Sequence, residues 1–360
     1  MYAFPVKKNY LLLVLCFILM SVSCRKPIDG NDDDDKPTPV YGMKGLYILN
    51  EGLFQMNNSS ISYYNAETGE MTPDIFLKVN QRGLGDTGND LQQYGSKLYC
   101  VVNISGQIEV MNINSCISLK QISLAGKQPR KIAFYKNKAY VSCFDGSVVR
   151  IDTASLEIDA TATAGANPEG ICVANGKLYV ANSGGLNRPN YGKTVSVFDL
   201  ARFELLREIE VEINPYVMMP DKEGDVYLVS RGNYGSVPYT FQRIDSKTDK
   251  VVQRYELPVL NFTICDEYAY LYYYDFSSGK SWIKVMNILT EKIEKENFIS
   301  DGTVLNTPYT IAVNPVSKDV YISNAYQFTV NSDIYVFDKN GKKKLVFEAG
   351  INSNTIVIRN

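Results

Sequence analysis

Three groups of side chains in this 360-residue sequence are of types that could do chemistry. The first is acidic. Glu51, Asp90 and Glu169 could serve a carboxylate-based hydrolase of the lactonase kind, which commonly uses calcium. Asp86 and Asp90, within Gly85-Asp86-Thr87-Gly88-Asn89-Asp90, could form a nucleophilic or metal-binding pair, although a glycine-rich turn explains the same residues. The second is the run Asp32 to Asp35, whose adjacent carboxylates could hold calcium if an extended segment could fold six to eight oxygens around the ion. The third is the seven cysteines. Cys100, Cys116, Cys143, Cys172 and Cys265 fall within apolar strands, cannot pair completely and show no CxxC spacing, so they read as small core residues and not as zinc ligands.

What is absent constrains the chemistry further. The chain has no histidine, which removes Ser-His-Asp and Cys-His catalysis, imidazole metal ligands and an imidazole pH switch. Acid–base work would fall to carboxylates, Lys, Tyr or Cys. A net charge of −2 with no basic cluster argues against nucleic acid. Gly83-Leu84-Gly85 has no helix to follow it and makes no dinucleotide site. One tryptophan, Trp282, cannot supply the repeated docking motifs of quinone-cofactor propellers. No catalytic residue, metal or resident cofactor is expected.

The elements that must position these residues are strands. From Gly45 onward apolar residues alternate or run in fours between Gly, Asn, Asp and Pro, with no helical period. Two markers recur and alternate strictly. One is an apolar strand with a central tyrosine: Tyr47, Tyr99, Tyr140, Tyr179, Tyr227, Tyr270 and Tyr321. The other is an apolar pair followed by Asp or Asn and a turn: Asn65, Asn112, Asp152, Asp199, Asp245, Asn287 and Asp338. Their spacing of about 45 residues is that of a four-stranded propeller blade. The predicted fold is therefore all-β, a seven-bladed β-propeller over 45–360. Its blades are 46–80 with 351–360, 81–125, 126–165, 166–212, 213–257, 258–300 and 301–350. The C-terminal strand completes the N-terminal blade and closes the ring.

The Asx turns all fall on one face and read as structural. The opposite face carries the longer loops after each Tyr strand and the blade-to-blade links, and long loops on one face usually carry function. Innermost strands contribute Asp90, Arg130, Glu169, Tyr216, Phe262, Tyr309 and Asn354 to that face, four of them behind a proline. The candidate ligand-binding residues there are Asn50, Phe54, Asn103, Arg130, Phe144, Glu169, Asn182, Tyr191, Tyr216, Arg231, Tyr234, Tyr274, Tyr309, Asn324 and Tyr326. Such a rim, rich in neutral donors, acceptors and aromatic faces, suits a large neutral ligand with flat parts and many amides.

The first residues read as an address. Lys7 and Lys8 precede the apolar run Leu11 to Met20, too short to span a bilayer, and Ser21-Val22-Ser23 leads into Cys24. This is the pattern of a signal peptide (1–23) with a lipobox-like cleavage point, Cys24 becoming the lipidated N-terminus. Residues 24–44, with Asp32 to Asp35 and Pro37-Thr38-Pro39, then form an extended tether. The acidic run resembles the export signal of Bacteroidetes surface lipoproteins, although there the acids usually lie closer to the cysteine.

Over residues 45–360 the Tyr-strand and Asx-turn repeats, with Asn167-Pro168-Glu169-Gly170-Ile171 leading a blade, resemble the YncE-like seven-bladed propellers. Together with the lipobox, the acidic tether and the absent histidine, the sequence resembles the BtuG-type surface lipoproteins of Bacteroides. That resemblance implies capture of cobalamin (vitamin B12) at the propeller funnel and its delivery to a TonB-dependent outer-membrane barrel transporter of the BtuB type. The protein would then be held at the outer membrane by its lipid alone, facing the cell exterior. A glycan-binding or scaffold propeller, and the carboxylate hydrolase, stay open as alternatives.

Overall fold

A computed structural model of the chain describes residues 44–360. The expected signal peptide, Cys24 and the acidic tether lie outside the described residues. Within them, seven four-stranded antiparallel sheets form the propeller. The first strands of the sheets touch one another in cyclic order and line the axis. In blade 1 this innermost strand is Ser353–Arg359, which pairs with Gly45–Asn50, so the last strand of the chain does close the ring. Blades 2 to 7 start at Gly88, Pro129, Pro168, Pro215, Asn261 and Pro308.

Both sequence markers have a structural role, and the two are linked. The central tyrosines lie on the second strands, and six of the seven are buried. All seven Asx side chains accept backbone N–H groups two to four residues ahead and close the turn between the third and outermost strands; Asp152, for example, accepts from Ala154 and Ser155 at 2.9 Å. The tyrosine of one blade then reaches the Asx turn of the next. Tyr47 donates to Ile113 O at 2.7 Å, Tyr179 to the Asp249 carboxylate at 2.7 Å, and Tyr227 to Ile288 O at 3.5 Å. Tyr140 makes the corresponding contact through its ring, 5.3 Å from Phe203. In the three blades with hydroxyl links the repeat spacing thus pairs a donor in one blade with an acceptor in its neighbour.

Two expectations need correction. Blade 1 is not built of strands alone: its outermost strand is only Met71–Thr72, and a short helix, Ile75–Asn80, follows. Asp74 caps this helix by accepting from Leu77 N–H at 3.0 Å, and Ile75 and Phe76 bury into the core. Six residues are too few to display a 3.6-residue period, so capping and burial hold this turn and no pattern announces it. Cys116, expected in a strand, lies in the turn after Asn112 with a positive φ. It is still buried, as are Cys100, Cys143 and Cys172, whereas Cys265 is half-buried.

A contrast between two tyrosines tests the blade-to-blade link. Tyr179→Phe removes a bond to a buried carboxylate and should lower stability by about 1–3 kcal/mol in urea denaturation. Tyr99→Phe, which removes a buried hydroxyl that has no partner, should cost nothing measurable or stabilise.

Candidate functional site

The funnel is produced by a repeated irregularity at the head of the innermost strands. In six of the seven blades the pairing with the second strand slips there, leaving extra residues on the inner strand. These include Asn89, Arg130, Glu169, Tyr216, Tyr309 and Asn354. A β-bulge turns such a residue out of the ladder and re-aims its side chain. In five blades the chain enters the bulge through a residue of positive φ: Thr87, Gln128, Asn167, Asn214 and Asn352. Asparagine tolerates that conformation best among the non-glycine residues.

Each of these entry residues is tied to the top of the second strand. The residue just past that strand donates its backbone N–H to the entry carbonyl: Glu51 to Asn352, Asn103 to Thr87, Phe144 to Gln128, Ser183 to Asn167 and Arg231 to Asn214, at 2.8–3.2 Å. In blade 7 Ala325 bonds Thr307 in the same way. Six side chains are thereby set at equivalent points around the mouth, one per blade.

The resulting cavity measures ≈ 740 Å³. One side is aromatic. Tyr234 and Tyr239 line it, and Tyr191, Tyr273 and Trp282 behind them extend these two into a ladder of ring contacts, with centroids 5.9–6.3 Å apart, across blades 4, 5 and 6. Tyr274, Phe276, Phe328 and Tyr309 continue it towards blade 7. Burial pushes the Tyr239 hydroxyl up to about 12. Burial also raises Tyr309 well above its ordinary value, and the neighbouring Glu51 carboxylate, to which it donates, adds to the rise. These tyrosines are therefore neutral donors at physiological pH.

The other side is polar, and its charges are already engaged. Arg130 grips Glu169 through two bonds of 2.8 and 3.1 Å, with its guanidinium 4.4 Å above the Phe144 ring. Burial opposes the Arg130 charge, and the facing Glu169 more than restores it. Asp90 accepts the Leu91 and Ile132 N–H groups at 3.0 and 3.1 Å and lies 3.9 Å from Lys131. Asp86 accepts Gln55 and Asn57 N–H and so holds the loop of blade 1. Glu51 accepts from Tyr309 and, at 3.4 Å, from Asn354. Among the described residues no three acids or cysteines gather as metal ligands.

Of the fifteen candidates, Arg130, Tyr216, Arg231, Tyr234, Tyr274 and Tyr309 line the cavity. Glu169 and Phe144 flank Arg130 and orient it. Tyr191 stands edge-on to Tyr234, 5.9 Å away. Phe54 is exposed on its loop, and Tyr326 donates to Asp333. The four asparagines sit elsewhere. Asn50, Asn182 and Asn324 end their strands fully buried and accept the N–H of Gly350, Gly165 and Thr307 at 2.7–3.0 Å; Asn103 donates to Pro129 O at 2.9 Å. Asn50, Asn182 and Asn103 tie one blade to the next, Asn324 holds the entry to its own blade, and none of the four lines the cavity. Tyr239, Tyr272, Phe276, Phe328 and Glu51 line the cavity but were not among the candidates. Their loops fall on the expected face, and the aromatic residues within those loops are the signal that could have singled them out.

The description Domain of unknown function (DUF5074) belongs to the family model that matches residues 44–353. The chain belongs to this family. No curated protein matches this DUF5074 chain. Among solved structures it is similar to a quinoprotein alcohol dehydrogenase-like protein of Bacteroides thetaiotaomicron (TM-score 0.64, 15% identity, covering 89% of this chain and 79% of that one). Hydrazine synthase of Kuenenia stuttgartiensis is similar at a TM-score of 0.58 and 17% identity, covering 68% and 74%. The computationally designed protein Ika8 is similar at a TM-score of 0.57 and 16% identity, covering 88% and 96%. At such identities these likenesses establish the propeller fold alone.

The pairing of Arg130 with Glu169 generates a prediction. Glu169→Ala leaves a guanidinium uncompensated and should cost about 3–5 kcal/mol in urea denaturation. Glu51→Gln, which keeps an acceptor for Tyr309, should cost under about 1 kcal/mol.

Proposed function

We propose that this DUF5074 propeller is a capture protein that binds cobalamin in its funnel and passes it to a TonB-dependent outer-membrane barrel transporter of the BtuB type. The observation that carries this reading is the make-up of the funnel wall. A cavity of ≈ 740 Å³ has one aromatic side for a flat macrocycle and one polar side for peripheral amides. Its carboxylates are bonded to internal partners, which favours binding over carboxylate chemistry. Exposed apolar tips at Phe54, Met56, Leu186, Tyr234 and Phe276 surround the mouth and can cover a ligand larger than the cavity. The lipobox-like Cys24 and acidic tether suit a lipid-anchored protein on the exterior of the outer membrane. The resemblance to BtuG-type proteins names the ligand and the transporter.

Calorimetry with cyanocobalamin tests the reading. Saturable heat is expected at micromolar protein and ligand, and its absence overturns the proposal. Alanine at Arg231 or Tyr234 should weaken binding at least tenfold, whereas Asp245→Ala, on the Asx-turn face, should change it less than twofold. Equal effects at both would mean that the other face binds.

The pH dependence should be flat. The chain has no histidine, and burial moves Tyr239 and Tyr309 upward, so both stay protonated, and neutral, well above pH 8. The association constant should vary less than about twofold between pH 6 and 8. A steep change in titrations across that window would point to a titrating group and favour an enzyme.

A further inference from the structure

The equivalent positions past the second strands carry one acid and one base. Glu51 occupies this point in blade 1 and Arg231 in blade 5; the others are Asn103, Phe144, Ser183 and Ala325. Three blades lie between blade 1 and blade 5 one way and two the other, as nearly opposite as a seven-membered ring allows. The two charges are not equally satisfied. Glu51 accepts two hydrogen bonds, from Tyr309 and Asn354. The Arg231 guanidinium lies 3.2 Å from the centre of the Tyr216 ring, and its Nε is shielded from solvent with no hydrogen-bond partner. Among the described residues no carboxylate forms an ion pair with it. The other cations of the wall differ in this respect, since Arg130 holds Glu169 and Lys131 lies near Asp90. A second guanidinium, Arg188, lies over the neighbouring Tyr234 at 5.6 Å and also makes no ion pair among the described residues.

A buried donor without an acceptor is costly, and a guanidinium matches the oxygens of a phosphate or carboxylate with two parallel bonds. Tyrosine faces can hold such a cation in place but offer its N–H groups no in-plane acceptor. We infer that Arg231, supported at the rim by Arg188, is an oxyanion subsite: it receives an anionic phosphate ester or carboxylate of the bound ligand. The ligand is thereby oriented with its anion at blades 4 and 5 and its neutral amide-bearing part towards Glu51 and blade 1. Applied to cobalamin, which carries one phosphodiester, this rests on the proposed function. The subsite itself does not.

Two measurements separate those possibilities. In calorimetry, Arg231→Gln should weaken cyanocobalamin at least tenfold and dicyanocobinamide, which lacks the phosphate, less than twofold. Equal weakening of both, or of neither, overturns the placement of the phosphodiester. Independently of any corrinoid, the ¹⁵Nε resonance of Arg231, assigned by its loss in Arg231→Gln, should shift saturably with phenyl phosphate or benzoate and not with phenol. The stronger of the two anions tells phosphate from carboxylate. A shift with no corrinoid binding retains the subsite and rejects the cobalamin reading. No shift with either anion overturns the subsite, whatever the corrinoids do.

Discussion

The packing of each blade against the next is the constraint on which this molecule depends, and at three of the seven junctions the hydroxyl of a second-strand tyrosine bonds the turn of the neighbouring blade. A four-stranded sheet cannot bury both its faces alone, so each blade is stable only against its neighbours. Apolar packing supplies the attraction but little direction. The links from Tyr47 to Ile113 O, from Tyr179 to Asp249 and from Tyr227 to Ile288 O set how far one blade is rotated against the next. Each places the tip of a rigid ring against a turn that an Asp or Asn side chain has already closed. Ring closure by Ser353–Arg359 makes these links mutually dependent, because a misplaced blade would leave the last strand without its partner.

At the opposite end of the blades the same architecture gives way to irregularity, and there the cavity forms. Bulges at the head of six innermost strands turn side chains towards the axis. The left-handed entry residues and their bonds to the tops of the second strands hold those bulges in place. The site is therefore preorganised by backbone geometry, and its side chains can differ from blade to blade without disturbing the ring. Aromatic rings on blades 4 to 7 and engaged charges on blades 1 to 4 are one outcome of that freedom.

The two classes of polar residue at the mouth illustrate what position does to chemistry. Asn182 and Tyr191 belong to one loop region and looked equally suited to hold a ligand. Asn182 is the final residue of its strand, and its amide is consumed by Gly165 N–H, Thr194 and Ser196. Tyr191, nine positions on, reaches the aromatic wall. Likewise Glu169 and Glu51 are both carboxylates near the axis, yet one meets a guanidinium and the other a phenol and an amide.

The repeated spacing of tyrosine and Asx residues determined the all-β class, the seven blades, the closing strand and the face on which the cavity opens, because strand alternation and turn chemistry are local and recur in every blade. The start of the innermost strands was legible for the same reason: Asp90, Arg130, Tyr216, Phe262, Tyr309 and Asn354 all line the cavity, as their place in the repeat required. Tertiary structure alone decided which polar groups are free. Whether Asn50 faces a ligand or Gly350 N–H, and whether an arginine meets Glu169 or only the face of Tyr216, depends on residues up to 300 positions away in sequence. No local pattern encodes that pairing, since it arises only when the ring closes and brings blades that are distant in sequence to one axis.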